Sequence, residues 1–286
     1  MWRLDLERKI SDFIEKYKGY FMRTVQDFVN LELYPIDQPE NPIMQAMLKA
    51  FQKQMKEEGV CVLPNFLSAP GLKNLVQEST ALADKSFHST VRGNAYLEEG
   101  PTDLPEDHPM KMEDTTSLGV LAYDQIPQES GLRLIYQWKP FVDFVAHIIG
   151  RGPLYEYACP LGAINVAIMK DQDYLRWHFD QSDFVVSINL QDPQEGGKFE
   201  YVRNIRSAAD PRYNEVRELL RGNRKSVEVL ENPPGCLVLF EGRYTIHRVT
   251  EIRGKMLRLI ALYGYALAPN VTSTDFLREM RYGRTH

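Results

Sequence analysis

Two hydrophobic rhythms divide this chain. Up to about residue 150, apolar residues recur at three- and four-residue steps, the period of an amphipathic helix; beyond it, short apolar runs alternate with turn residues, as strands do. From residue 4 to about 33 the helical spacing is carried by Leu6, Ile10, Phe13, Tyr17, Phe21, Val25 and Phe28, with Gly19 as a point of interruption. Pro35 and Pro39 mark a linker. Asn41 before Pro42 reads as an N-cap and a first-turn proline, predicting a helix to about Glu58 that Gly59 stops. A short buried strand is expected at 60–64, and Ser68 with Pro70 opens a helix ending near Lys85. Residues 118–123 suit a strand, and 129–137 and 140–149 suit helices, the second closing at Gly150 and Gly152.

Residues 87–114 keep no period. Polar and charged residues fall there among Gly93, Gly100, Pro101, Pro105 and Pro109, which predicts a long loop, either a lid or a solvated excursion.

The later pattern predicts strands at 154–158, 163–169, 175–179, 184–189, 198–202, 226–230, 236–240, 245–249 and 256–265. Pro160, Asp192-Pro193, Gly196-Gly197, Pro233-Pro234-Gly235 and Arg253-Gly254 punctuate them, with a helical insert at 210–220 and a closing helix at 274–280. Gly196-Gly197 suits a tight turn and not a phosphate cradle, because no helix follows to supply a dipole. Many short strands between turns argue for a mainly β fold, a double-stranded β-helix or jelly roll, not a parallel α/β sheet. The expected organisation is a single domain over 1–286, in which 1–150 form a helical supporting layer with a lid segment and 151–286 a catalytic jelly-roll core.

Composition narrows the classes. A formal net charge of −5 gives no electrostatic case for nucleic acid or an anionic membrane as partner. The three cysteines, Cys61, Cys159 and Cys236, are far apart and odd in number, which suits free thiols in a reducing compartment. No apolar run reaches the roughly 18 residues of a membrane span, and the acidic, amphipathic N-terminus does not read as a signal peptide, so a cytoplasmic location is expected.

The chemistry concentrates in Leu175-Arg176-Trp177-His178-Phe179-Asp180. On extended backbone His178 and Asp180 project to the same side and Trp177 to the other, where packing is its expected role. An imidazole and a carboxylate make two thirds of the 2-His-1-carboxylate set that holds Fe(II) with positions left open, and His247 is the candidate third ligand. With six histidines in the whole chain, a suitable one in each place is hard to assign to chance. Arg258 lies in an otherwise apolar strand, Met256-Leu257-Arg258-Leu259-Ile260-Ala261-Leu262. A buried guanidinium needs an anion, no carboxylate is near it in that strand, and a bound dicarboxylate would serve. Zinc could occupy the same ligands but would leave Arg258 unexplained.

This ordered set resembles the Fe(II)/2-oxoglutarate-dependent oxygenases. The resemblance implies Fe(II), O2 and 2-oxoglutarate as cofactor and co-substrates, His178, Asp180 and His247 as metal ligands and catalytic centre, and Arg258 as the clamp on the far carboxylate of 2-oxoglutarate. Trp177-His178-Phe179-Asp180, Gly196-Gly197-Lys198-Phe199-Glu200-Tyr201, Pro234-Gly235-Cys236 through Gly242-Arg243, and His247-Arg248-Val249-Thr250 resemble more closely the branch of bacterial free-amino-acid halogenases and their hydroxylase relatives. Arg92-Gly93-Asn94-Ala95-Tyr96, Asp107-His108-Pro109 and Tyr282-Gly283-Arg284 carry the same likeness. In the halogenating members a small residue replaces the carboxylate and chloride fills its position; Asp180 closes that position here, which implies oxygen insertion. The resemblance also implies a small-molecule substrate, a free amino acid or similar polar metabolite, met by Arg92 at its carboxylate with Tyr96 and His108 beside it, and by Glu156 and Asn165 at an amine or hydroxyl.

The alternatives are the same chemistry on a protein side chain, desaturation or cyclisation of a small molecule, and, outside enzymology, a silent jelly-roll binding module. The last predicts that iron and 2-oxoglutarate leave thermal stability unchanged, whereas bound ligands raise it.

Overall fold

The structure is a computed structural model, and it describes residues 23–286. The helical run expected from residue 4 lies outside the described residues up to residue 22. Its remainder is not helical beyond one 3-10 turn, Val25–Asp27. Tertiary contacts override the periodicity there: Val29 bridges Leu67, the Asn30 N–H donates to the Phe66 carbonyl (2.8 Å), and Phe28 is fully buried. Gly71 and Gly131 admit it, since a β-carbon at either would run into Phe28.

Helix α1, Pro42–Glu58, begins where predicted, with the Asn41 side chain accepting from the Ile43 N–H, and ends at Gly59 in left-handed conformation (φ 68°). Strand β1, Val60–Leu63, leads to helix α2, Ala69–Ala81, capped by Ser68. The segment expected to be a long loop instead starts with strand β2, Phe87–Asn94, pairs antiparallel with β3, Glu113–Leu121, and leaves only 95–112 as a loop. Helices α3, Gly131–Gln137, and α4, Lys139–Ile149, follow, the latter closing at Gly150 (φ 64°).

Next come β4, Tyr155–Glu156; β5, Ile164–Met169; β6, Leu175–His178; β7, Val185–Gln191; β8, Glu195–Gly196; and β9, Phe199–Val202. Helix α5, Tyr213–Leu220, is the predicted insert. The chain ends with β10, Glu228–Val229; β11, Leu237–Phe240; β12, Ile246–Val249; β13, Ile252–Arg253; β14, Arg258–Tyr263; β15, Tyr265–Ala266; and helix α6, Asp275–Tyr282. The β8–β13 ribbon was not legible beforehand: Gly196 and Gly197 do make the expected tight turn (φ 73° and 64°), but Gly196 and Glu195 also pair with Ile252 and Arg253.

Two antiparallel sheets carry the fold, one of seven strands in the order β1-β11-β7-β14-β5-β3-β2 and one of four, β10-β9-β12-β6; among the described residues no closed barrel forms. The jelly-roll expectation holds. Strand alternation explains the layering. On β14, Leu259, Ala261 and Tyr263 join Ile164, Val166 and Ile168 of β5 in the main core, with Phe66, Tyr136, Phe141 and Phe144 of the helical layer. The next residues along, Arg258 and Met169, therefore look the other way, toward the small sheet, and Met169 packs with Val249 and Phe199 of that sheet. The space between the sheets is where the site lies. Among the described residues no helix is long and apolar enough to cross a membrane.

Candidate metal centre

His247 of β12 and His178 of β6 are register partners on adjacent strands, which brings their rings to 4.2 Å between centroids. Both residues are buried. Asp180 lies just past the end of β6, so the strand alternation that singled it out does not hold it. Its N–H donates instead to the Gly242 carbonyl (3.0 Å), tying the segment after β6 to the turn after β11. Its two carboxylate oxygens then face one imidazole each, Oδ1 at 3.8 Å from His178 Nε2 and Oδ2 at 3.7 Å from His247 Nε2. One ligand atom from each of the three residues lies within 4.8 Å of the others. The structure thus brings together the three residues that the sequence singled out.

The remaining ring nitrogens fix the chemistry. His178 Nδ1 lies 2.9 Å from the Arg176 carbonyl and His247 Nδ1 3.0 Å from the Thr245 carbonyl. A carbonyl only accepts, so each Nδ1 bears the proton and each Nε2 turns a lone pair toward Asp180, as a metal ligand must. Burial pulls His178 down to about 3, helped by neighbouring His247 and opposed by Asp180; burial pulls His247 down to about 4. Both are neutral at neutral pH, the state that binds cations. Burial raises the Asp180 carboxyl, opposed by His178 and by the positive charge of Arg281. Asp180 Oδ2 is buried with no hydrogen-bond partner. A buried acceptor left unmatched beside two imidazole lone pairs is a poor arrangement for an empty protein and a good one for a divalent cation.

Phe199 stacks on His247 (5.2 Å, 21°) and Phe240 meets it edge-on (4.9 Å), so one flank of the centre is dry. Beyond Phe199 the same cluster reaches Met169, whose sulfur is 3.7 Å from Arg258 Nη1. Arg258 is buried and, among the described residues, forms no ion pair; the cross-strand partner that would make it a merely structural cation is absent. Burial draws its guanidinium down to about 10, with Asp192 opposing, which leaves it cationic at neutral pH. Gly197 lets the turn close over it, since a β-carbon there would sit 3.1 Å from Arg258 Cδ.

The expected substrate residues are scattered. Arg92 is exposed on edge strand β2 and paired with Glu113 (2.9 Å). Tyr96 is buried against Phe179 (5.3 Å), the neighbour of His178, with its hydroxyl unpartnered. His108 packs against Tyr213 of α5, the rings tilted by 59° with centroids 4.3 Å apart. Glu156 is exposed on β4; partial burial raises its carboxyl. Asn165 is buried, its amide donating to the Gly162 carbonyl (3.1 Å) and its oxygen accepting from the Tyr282 hydroxyl of α6 (2.6 Å). Trp177 faces away from His178, as expected, packing with Phe179 and Ile246 under the guanidinium groups of Arg248 and Arg224. Sequence reasoning gave no role to Gly242, although it lies within the stretch ending Gly242-Arg243 that carries the resemblance, or to Arg281; the first leaves room for Asp180 and the second bears on it by charge.

A pair of imidazoles and a carboxylate between the sheets of a jelly roll, with the buried guanidinium of Arg258 on the facing sheet paired to no carboxylate among the described residues, defines a class of metal-centred fold. Structures of that fold include the non-haem α-ketoglutarate-dependent carbocyclase SnoK from nogalamycin biosynthesis (TM-score 0.56, 15% identity, covering 82% of this chain and 92% of that one). The α-ketoglutarate-dependent epimerase SnoN from the same biosynthesis (0.54, 16%, 78% and 83%) and AviO1 from Streptomyces viridochromogenes (0.53, 15%, 79% and 97%) share it too. No curated protein sequence matches the chain. The family model of Halogenase D matches residues 43–281, and the chain belongs to that family.

Proposed function

We propose that the protein is a non-haem Fe(II)- and 2-oxoglutarate-dependent oxygenase that hydroxylates an unactivated C–H bond of a free amino acid or a similar small polar metabolite. The observation that carries this reading is Asp180, whose carboxylate lies between His178 and His247 where a halogenating relative would need an open position. His178, His247 and Asp180 would hold the iron, and Arg258 the far carboxylate of 2-oxoglutarate. Iron, 2-oxoglutarate and O2 together supply the oxidant for the C–H bond, with release of succinate and carbon dioxide.

The chain's own part is positional. The Arg176 and Thr245 carbonyls hold the two imidazoles in the ligating tautomer. Phe199 and Phe240 keep water off one side of His247. Arg258 neutralises an incoming dianion that the rest of the cavity could not desolvate. Arg92 is exposed and paired with Glu113, so of the two basic residues Arg281, whose positive charge acts on Asp180, is the one we assign to a substrate carboxylate. Carbocyclase and epimerase outcomes in proteins of this fold keep cyclisation or desaturation as the second reading.

The test is anaerobic loading with Fe(II) and 2-oxoglutarate, addition of a panel of free amino acids with chloride present, then O2 and mass analysis. One substrate gaining a single oxygen, with matching succinate, is expected; a chlorinated product or no succinate would sink the proposal. His178→Ala and His247→Ala should each abolish iron binding and turnover, and retained turnover in either would remove the triad as the metal site.

A further inference from the structure

Gly242 touches the candidate centre with backbone alone. A β-carbon at this position would overlap Asp180 Oδ2 and lie 2.5 Å from its Cγ and 3.0 Å from its Cβ. Other glycines near the site, such as Gly197, also have φ in the left-handed region, where any side chain is strained. Gly242 does not, so its backbone conformation would accept alanine and only the carboxylate forbids it. Neither side can easily give way. The Asp180 N–H is bonded to the Gly242 carbonyl (3.0 Å), Arg243 Nε donates to Asp183 Oδ1 (2.6 Å) and Arg243 also donates to the Gln181 carbonyl. Arg206 holds the Arg243 carbonyl through two donors (3.0 and 2.7 Å) while its guanidinium lies over the Phe179 ring. The segments 179–183 and 241–243 are thus laced together at one separation, and that separation is set by a carboxylate resting on a bare Cα.

We infer that Gly242 is a positioning residue for the metal centre: the space left by its missing side chain is the seat of the Asp180 carboxylate, so positions 180 and 242 form one steric unit that decides whether the metal receives a third protein ligand. The inference rests on the three-ligand reading of the site and deepens it. A side chain at 242 would turn Asp180 away from the two Nε2 atoms and leave the metal a two-histidine site with Asp180 still in the sequence. Removing the carboxylate, as in Asp180→Gly, makes room for that side chain.

The experiment is a double-mutant cycle of Gly242→Ala and Asp180→Gly with two readouts. The first is the melting temperature of the metal-free protein, which needs neither iron nor turnover. Gly242→Ala should lower it in the parent background and leave it within error in the Asp180→Gly background. The second is Co(II) affinity under anaerobic conditions: Gly242→Ala should weaken it at least tenfold beside Asp180 and less than twofold beside Gly at 180. An unfolded single variant with a folded double variant supports the inference. Equal losses in both backgrounds, no loss in either, or two unfolded proteins overturn it, because the obstacle to a side chain would then not be the carboxylate. Failure of the parent itself to bind Co(II) would strike the iron-site reading instead, while the melting-temperature cycle would still judge the steric pairing.

Discussion

At the scale of single residues, the metal centre works by committing every donor before a cation arrives. The linkage sign follows from the two histidines. In an unfolded chain they titrate near pH 6.5, whereas in the fold burial holds them near 3 and 4. Between those limits the unfolded chain takes up protons that the fold refuses. The contribution is complete above about pH 6.5 and is lost as pH falls through that window. Metal-free protein should therefore have a lower denaturation midpoint at about pH 5 than at about pH 7, and His247→Gln should shrink the difference. Equal pH dependence in parent and variant would deny His247 its buried, neutral state. Arg258 makes a second prediction. Arg258→Ala should raise the 2-oxoglutarate requirement about ten- to a hundredfold, the worth of one charge-assisted hydrogen bond or more, with iron affinity little changed. Equal shifts in both would mean the guanidinium serves the metal site as a whole. These residues were legible because chemistry leaves a mark on sequence: His-X-Asp on an extended run, and a lone cation in an apolar strand. Gly242 was not, because an absent side chain has meaning only once the neighbour filling its space is known.

At the scale of elements, caps and turns were readable and edges were not. Asn41-Pro42 and Gly59 bound α1 as local rules require, with the Asn41 oxygen 2.9 Å from the Ile43 N–H. Asn41→Ala should cost about 1 kcal/mol, measured by chemical denaturation; a change below a few tenths would show the cap hydrogen bond to be replaced by water. Strand β2 escaped notice because it is an edge. One face is open to solvent, and its sequence Phe87-His88-Ser89-Thr90-Val91-Arg92-Gly93-Asn94 has no apolar alternation to betray it. Its placement also explains why Arg92 meets Glu113 and not the centre: pairing with β3 aims it outward. The loop 95–112 that follows is tied down by α5 and its C-cap, through Asp107 with Arg217 and the capping Arg221 and through His108 on Tyr213. Two insertions that look unrelated along the chain thus fasten each other across the small sheet. No local signal announces that, since each half needs the other to make sense.

At the scale of the whole molecule, the helical layer covers only the outer face of the seven-stranded sheet, so the inner face is free to oppose the small sheet and enclose a site. That division was visible only in part in the switch from helical to strand periodicity near residue 150, because β1, β2 and β3, all before it, belong to the seven-stranded sheet. The pairing order, with β1 next to β11 and β14 between β7 and β5, was not, because antiparallel strands of similar composition do not name their neighbours. A fold with prepared ligands and an unmet cation should be steadied by what fills it. Mn(II) with 2-oxoglutarate, each at a hundred times its dissociation constant, should add about 2.7 kcal/mol per independent site and raise the melting temperature by several degrees, and a chelator should reverse the metal's share. An unchanged melting curve would favour a silent binding module.

The buried guanidinium of Arg258, with no carboxylate paired to it among the described residues, has a consequence for regulation. On the proposed assignment, Arg258 meets the carboxylate that 2-oxoglutarate and succinate share, and cannot readily tell the two diacids apart. Succinate should accordingly compete for Arg258, and the rate should follow the ratio of the two diacids rather than the level of either, coupling turnover to how oxidised the surrounding carbon pool has become.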